Sequence, residues 1–469
     1  LQSSKFLGGP EVSSSLVFQS RRQQLNFLTP TENFKLNALW DQDRINFDVD
    51  FKQAGDDNSA HFGGNWRFEK DGLSLRFKDS YLKILGQDWA FDPENMVTLK
   101  GQEWKAEHVL ISNKKQSIAL QGSLSLDSTQ TLRFRANKFQ LATLEPILAI
   151  KANGELNAEI SVQNWYQNTR VDSWMIVDSL RLDKFYMGNL QGVGTYMAES
   201  QRMDLNYTLN RLGDPVLSVS GQYKPYAEGD QLALKTELNR TNLEILEPFT
   251  RGIFSGLAGE ASGELKIRGQ FNDPNFSGKV SVQKAKVNFD YLNTAIFVSD
   301  TVSFQGRQIL AKNWQLKDND GNVAKLNGQL NFPKDKPLEM SLTADLTRYK
   351  ILNTQKSPSS FYYGTGYASG LFQLDGTLDN LLISGNLKSE KGTRLFIPLD
   401  REQDATEVED YALVSDLKLP TTDQVLANAS SKLQEDGITL DLRLALTPEA
   451  YGEVQFDAQK GDVMRMYGS

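Results

Sequence analysis

Ser262-Gly-Glu-Leu-Lys-Ile-Arg-Gly269, closely followed by Ser277-Gly-Lys-Val280, is the stretch whose reading decides the fold. Leu265 and Ile267 alternate with Glu264, Lys266 and Arg268, a period of two that places one set on one face of a β-strand. Glycine belongs where a strand bends or its backbone takes a positive φ, so a glycine frame outlasts drift in the side chains around it. The frame returns in Ser369-Gly-Leu-Phe-Gln-Leu-Asp-Gly376 and Ser384-Gly-Asn-Leu387, at offsets of 370 − 263 = 107, 376 − 269 = 107 and 385 − 278 = 107. A weaker copy, Asn153-Gly-Glu-Leu-Asn-Ala-Glu-Ile160, lies 263 − 154 = 109 residues upstream. Leu-Glu-Pro also recurs, at 144–146 and 246–248, each time in a short apolar stripe that reads as helix: Leu141-Ala-Thr-Leu-Glu-Pro-Ile-Leu148 and Asn242-Leu-Glu-Ile-Leu-Glu-Pro-Phe249. The repeating unit is a helical plug followed by several antiparallel strands, and Asn242 to Phe332 is one copy of it.

Outward from that stretch the pattern persists. Ile45, Phe47, Val49 and Phe51, then Leu73, Leu75 and Phe77, then Ile160 and Val162, keep the period of two, with turn residues such as Ala54-Gly-Asp-Asp57 between runs. Trp40, Trp66, Trp89 and Trp104 read as aromatic mass for a sheet surface. Asp400, Glu402, Asp404, Glu407 and Glu409 mark a solvated acidic loop. Leu440-Asp-Leu-Arg-Leu-Ala-Leu446 and Gly452-Glu-Val-Gln-Phe456 give the clearest alternation of all. The sequence stops near Val463 and Met464 without a polar cap and starts at Leu1 without a signal-peptide pattern, so the expectation is a processed form or fragment that continues in its parent.

Composition narrows the function classes. Apolar residues make up 39%, mean hydropathy is −0.45, and no apolar run approaches the roughly 18 residues of a spanning helix. Net charge is 51 − 59 = −8 with the signs interspersed, which lacks the basic footprint of a nucleic-acid binder. Without cysteine there is no thiolate nucleophile, disulfide or cysteine zinc site. His61 and His108 stand in no ligand spacing, and Asp318-Asn-Asp-Gly321 reads as a hairpin turn rather than a calcium loop. The reading is of a protein that is not an enzyme, with no catalytic residue, metal ligand or cofactor.

Strands with one apolar face and no long helices to cover it have three solutions: stacked sandwiches, a closed solenoid with a dry core, or a gutter whose apolar face lines a channel. Periodicity leaves all three open. A gutter would keep an apolar surface suited to acyl chains.

From Leu257 onward the chain resembles the TamB family, whose C-terminal domain is also known as DUF490, within the AsmA-like repeating β-groove proteins. The resemblance lies in Gly263 to Gly278 with Asp273-Pro-Asn-Phe-Ser-Gly278, in Val302-Ser-Phe-Gln-Gly306 with Leu326-Asn-Gly-Gln-Leu330, and in Phe361-Tyr-Tyr-Gly-Thr-Gly-Tyr-Ala-Ser-Gly370 with Glu390-Lys-Gly-Thr-Arg-Leu-Phe-Ile-Pro-Leu399. A fourth block is Leu444-Ala-Leu-Thr-Pro-Glu-Ala450 with Phe456-Asp457. It implies an all-β fold, an elongated, curled antiparallel sheet (β-taco or β-groove) built from repeats with short helical plugs. The expected division is β-groove repeats over 1–241 and a TamB C-terminal domain over 242–469, truncated before its end. The implied function is a periplasmic bridge-like groove that carries phospholipid between inner and outer membranes of a Gram-negative bacterium and supports outer-membrane assembly. The implied groove lining is Leu265, Ile267, Val280, Val282, Val287, Phe289, Val302, Phe304, Leu326, Leu330, Met340, Leu342, Leu440, Leu442, Leu444, Leu446, Val454 and Phe456. Implied partners are phospholipid acyl chains, an Omp85-type outer-membrane barrel, and the inner membrane through an anchor helix outside this chain. The alternatives are a secreted β-solenoid adhesin or polysaccharide-acting protein with a closed dry core, and a chaperone surface for nascent barrel strands.

Overall fold

The structure, a computed structural model, describes residues 2–4, 13–23, 30–145, 151–182, 185–250, 254–334, 336–356, 362–377, 380–398, 438–457 and 462–468. The acidic stretch Asp400 to Glu409 lies outside the described residues. Strand dominates from Gln2–Ser4 to Asp462–Tyr467. Helical structure among the described residues is confined to a 3-10 turn at Leu141–Leu144 followed by helical Glu145, and one at Leu243–Leu246 running into one α turn at Glu247–Thr250. The all-β expectation with short helical plugs holds. Contacts divide the chain into two units, Leu1–Lys235 and Thr236–Ser469.

In the first unit neighbouring strands pair antiparallel, Ser13–Gln23 with Thr31–Asp41, that strand with Arg44–Gln53, and so on to Asp214–Tyr223, with the short strands Gln87–Phe91 and Met96–Lys100 each bridging Gly72–Ile84 and Glu103–Asn113. The second unit does the same from Phe254–Gln270 to Asn380–Ser389. The purely antiparallel expectation then needs correction. Asn380–Ser389 pairs parallel with Ile438–Ala445, and Arg394–Pro398 pairs parallel with Tyr451–Asp457. A parallel pair needs a connection of a dozen or more residues, and the chain between Ser389 and Ile438 is far longer than that.

Bulges bend these sheets. Lys138, Lys284, Asn313 and Arg348 take left-handed φ values of 48°, 51°, 54° and 51°. Each sits where the register slips, for example between Ala136 and Phe139 or between Leu346 and Tyr349. An extra residue on one strand bends that strand and sharpens its twist. The freed N–H is not left unsatisfied: it donates to Asn157 Oδ1 (2.9 Å), Ser299 Oγ (2.9 Å), Asn327 Oδ1 (2.8 Å) and Ser369 Oγ (2.9 Å), always on the next strand. Arg240 N–H donates to Ser262 Oγ in the same way, at 2.9 Å. Ser262-Gly263, Asn327-Gly328 and Ser369-Gly370 are therefore one motif, a cap for the neighbouring bulge followed by a glycine. At Gly328 the φ of 136° and a Cβ that would lie 2.1 Å from the Ser341 carbonyl oxygen exclude any side chain.

The plugs are held by polar and apolar contacts together. Asn242 accepts from the Glu244 N–H at 2.9 Å, and Glu247 Oε1 accepts from the Leu257 N–H at 2.7 Å, while Ile245 is buried. Leu144 of the earlier plug packs against Trp89, Ala136 and Phe139.

Candidate functional site

Antiparallel partners share a face, so register decides which side chains stand together. In the second unit Leu265 faces Gly278, which faces Phe304; Phe304 faces Ile309, then Leu330, Met340, Gly376 and Leu381 in turn. A parallel row runs from Val280 to Val302 and, further on, from Gly328 through Leu342, Leu374 and Ile383 to Leu440. Ile267, Val282, Val287, Phe289, Leu326, Leu442 and Leu444 fall on the same face by partner, and Val454 joins it through Ile397 and Met464. Leu446 lies just past its strand, Phe456 follows Val454 by two, and the Leu440 side chain is outside the described ones.

Sharing a face does not make these residues equally accessible. Val280, Phe289 and Met340 are buried, whereas Leu442 and Phe456 are exposed and the others half-buried. Phe289 packs with Met340, Leu381 and Ile383, and Tyr349, Leu346 and Leu387 form an adjoining cluster with Trp314 and Phe372 against it. The curl closes there: the Asn353 N–H donates to the Leu292 carbonyl (3.0 Å) and Asn293 Nδ2 donates to the Asn353 carbonyl (2.6 Å), across two intervening strands. Asp318 adds a second tie, its buried carboxylate accepting from the N–H groups of Asp320, Asn322 and Lys350. Asp318 to Gly321 is thus a hairpin turn whose acid is saturated by protein donors.

The first unit holds a strip that the sequence reading did not single out. Phe18, Phe34, Phe51, Phe62, Phe77 and Phe91 come one from each of six consecutive strands, with successive ring centroids 5.8, 6.3, 6.1, 6.3 and 5.0 Å apart. None is buried, and Phe18 is 51% exposed. Trp40, Trp66 and Trp104 stand half-exposed on this face, but Trp89 is 2% exposed, sealed in the plug cluster. Six phenylalanines at inward positions were the available signal; their alignment required the register.

The opposite faces carry ion pairs, as in Arg135 with Glu159, Arg170 with Asp172 and Arg240 with Glu260, beside an exposed apolar patch of Trp174, Ile176 and Val193. The Arg170 guanidinium holds the Asp172 carboxyl below the usual carboxylate range, and Arg240 does the same for Glu260. His61 places Nδ1 2.8 Å from Asp50 Oδ1 and stacks on Tyr81, while His108 lies exposed in a strand. Among the described residues no group of three or more His, Cys, Asp or Glu side chains is arranged to hold a metal.

Residues 312–463 match the family model of the TamB C-terminal domain. Over those residues the chain carries a TamB C-terminal domain. The matched segment contains Leu326, Leu330, Met340 and Leu342, the closed core around Ile383, and the parallel-paired strands after it. TamB proteins form a transport- and assembly-module family of the bacterial envelope. No curated protein and no solved structure matches the chain. Among the described residues no helix is long and apolar enough to cross a membrane.

Proposed function

We propose that the chain carries phospholipid acyl chains along the apolar faces of its curled sheets and so supports outer-membrane assembly. The observation that carries this reading is the phenylalanine strip, one ring from each of six consecutive strands, half-open to solvent. A contiguous exposed apolar track is normally a binding surface, and each methylene laid on it contributes about 0.8 kcal/mol. The exposed Leu442 and Phe456 extend the reading to the last strands of the second unit, whereas Phe289, Met340 and Ile383 serve as core. Transport along such a track is passive: tails slide over half-buried rings while head groups stay in water. In this reading the parent sits in the periplasm of a Gram-negative bacterium, anchored in the inner membrane by a helix outside this chain and meeting an Omp85-type barrel at the outer membrane.

The decisive experiment places a photo-crosslinking amino acid at Phe62 and, separately, at Met340, followed by mass spectrometry of the adducts. Lipid adducts from position 62 and none from position 340 are expected. Protein adducts alone from position 62 would instead favour a chaperone surface for barrel strands, and no intermolecular adduct at either would favour the closed-core alternative.

A further inference from the structure

The apolar patch among the ion pairs of the first unit has its own geometry. Trp174 and Val193 stand opposite each other on Arg170–Leu182 and Phe185–Met197, and Ile176 follows Trp174 by two residues on the same face. All three are exposed, Val193 most of all at 53%. Their row continues to Glu159 on one side and to Asn206 on the other. The neighbouring row of Ala158, Met175, Gly192 and Tyr207 points the opposite way, where Ala158 packs on the plug cluster. The patch is therefore turned away from the plug and from the apolar face that the plug covers.

With Gln191, Asn206 and Thr208 these three residues line an open hollow of about 300 Å3. The side chains of Gln191, Asn206 and Thr208 make no hydrogen bond among the described residues, so two amides and a hydroxyl border the apolar patch with donors and acceptors unspent. The lining holds no charged group. The acids around it are already partnered: Glu159 by Arg135, Asp172 by Arg170 through hydrogen bonds of 2.7 and 2.9 Å, and Asp204 by Arg202. Asp178, two residues past Ile176, stands outside the lining. An ionic ligand gains nothing in such a hollow, whereas a neutral one with both an apolar face and a polar rim meets a partner for each.

We propose that this hollow binds a neutral glycan bearing N-acetylhexosamine units. A sugar ring offers a C–H face to the Trp174 indole and hydroxyls to the amides beside it, an aromatic body with a few placed polar groups being the usual make-up of a small-ligand site. The acetamido group matches what remains: its methyl suits Val193 and Ile176, and its N–H and C=O suit Gln191 and Asn206. The volume falls at the low end of the roughly 300–1,000 Å3 of such sites. A protein partner fits less well, since a stable protein interface buries about 800 Å2 on each side, and here three apolar side chains give way at once to ion pairs. Because the patch faces away from the apolar track, the proposal stands apart from the acyl-chain reading, and both occupants can be held together.

The test titrates the full chain calorimetrically with chitotetraose, four linked N-acetylglucosamines, and with cellotetraose, the same chain without acetamido groups. Chitotetraose should bind with a Kd on the order of 1 mM, cellotetraose several-fold more weakly, and raised salt should change neither. Trp174→Ala should weaken chitotetraose binding about tenfold or more, through the lost aromatic contact and its buried area. The double variant Gln191→Ala with Asn206→Ala should erase the preference between the two tetramers. Both variants alter exposed side chains, so circular dichroism and lipid loading should match those of the native chain. No binding of chitotetraose by the native chain, or binding that Trp174→Ala leaves unchanged, overturns the proposal. A photo-crosslinking amino acid at Val193 decides the rival occupant: adducts to chitotetraose uphold the proposal, and adducts to protein alone overturn it.

Discussion

The two units use one pattern and finish it differently. In the first, six phenylalanines line up across consecutive strands and stay half-open, Phe18 at 51% exposure. In the second, part of the equivalent face disappears into a core where Ile383 is 0% and Leu387 2% exposed. Alternation is the same in both, and so is the capped bulge, seen at Lys138 in one unit and at Asn313 in the other. What differs is closure: the second unit ties Leu292 and Asn293 to Asn353 across the curl, and Phe289 meets Met340 and Ile383 beneath that tie. An apolar face becomes a core or a track according to whether a distant part of its own sheet reaches over it.

The sharpest way to break this comparison is a buried charge. Ile383→Asp places an unpaired carboxylate where water does not reach, and should cost the second unit more than about 4 kcal/mol, seen as lost cooperative unfolding and rapid proteolysis. Phe62→Asp should cost the first unit under about 2 kcal/mol, because its site is wet, while abolishing lipid loading. Equal destabilisation by the two would remove the distinction.

Truncation gives a smaller version of the same contrast. Met340→Ala should lower stability by about 3 kcal/mol in urea unfolding, since the cavity it leaves is enclosed, and Phe77→Ala by about half of that. A charge-free test of the shared device comes next. Asn327→Ala and Asn157→Ala each orphan one bulge N–H and should each cost about 1 kcal/mol, alike in both units. A large inequality would mean that the bulge does more in one unit than bend a strand.

The smallest effect concerns acid. Lys350, and after it Tyr367, hold the Asp320 carboxyl below its ordinary value of 3.8. A folded-state pKa below the unfolded one gives stability that is present above about pH 4 and lost as pH falls through the folded value. For so exposed a group the loss should be well under about 1 kcal/mol. Urea titrations of the native chain and of Asp320→Asn at pH 6 and pH 3 should therefore converge at the lower pH.

Much of this was legible from residue order. The period of two at Leu265 and Ile267 gave strand and face, and the recurrence of Ser-Gly gave the repeat, because both depend on local backbone geometry. The reason for the serine was not legible: Ser262 and Ser369 cap bulges on neighbouring strands, at Arg240 and Arg348, a partnership 20 or so residues distant. Nor were the parallel pairings of Asn380–Ser389 and Arg394–Pro398, since periodicity carries no strand direction. Trp89 and Trp66 looked alike in sequence, yet one is sealed by a plug and the other is 38% exposed.

By itself, then, the sequence determined that this chain makes strand upon strand with a single apolar side, because alternation is a property of neighbouring residues. Tertiary structure alone decided which stretches of that side meet protein and which meet solvent. Register, bulge and closure join residues far apart in the chain, and a face is covered only where the curl of the sheet brings another part of it within van der Waals reach.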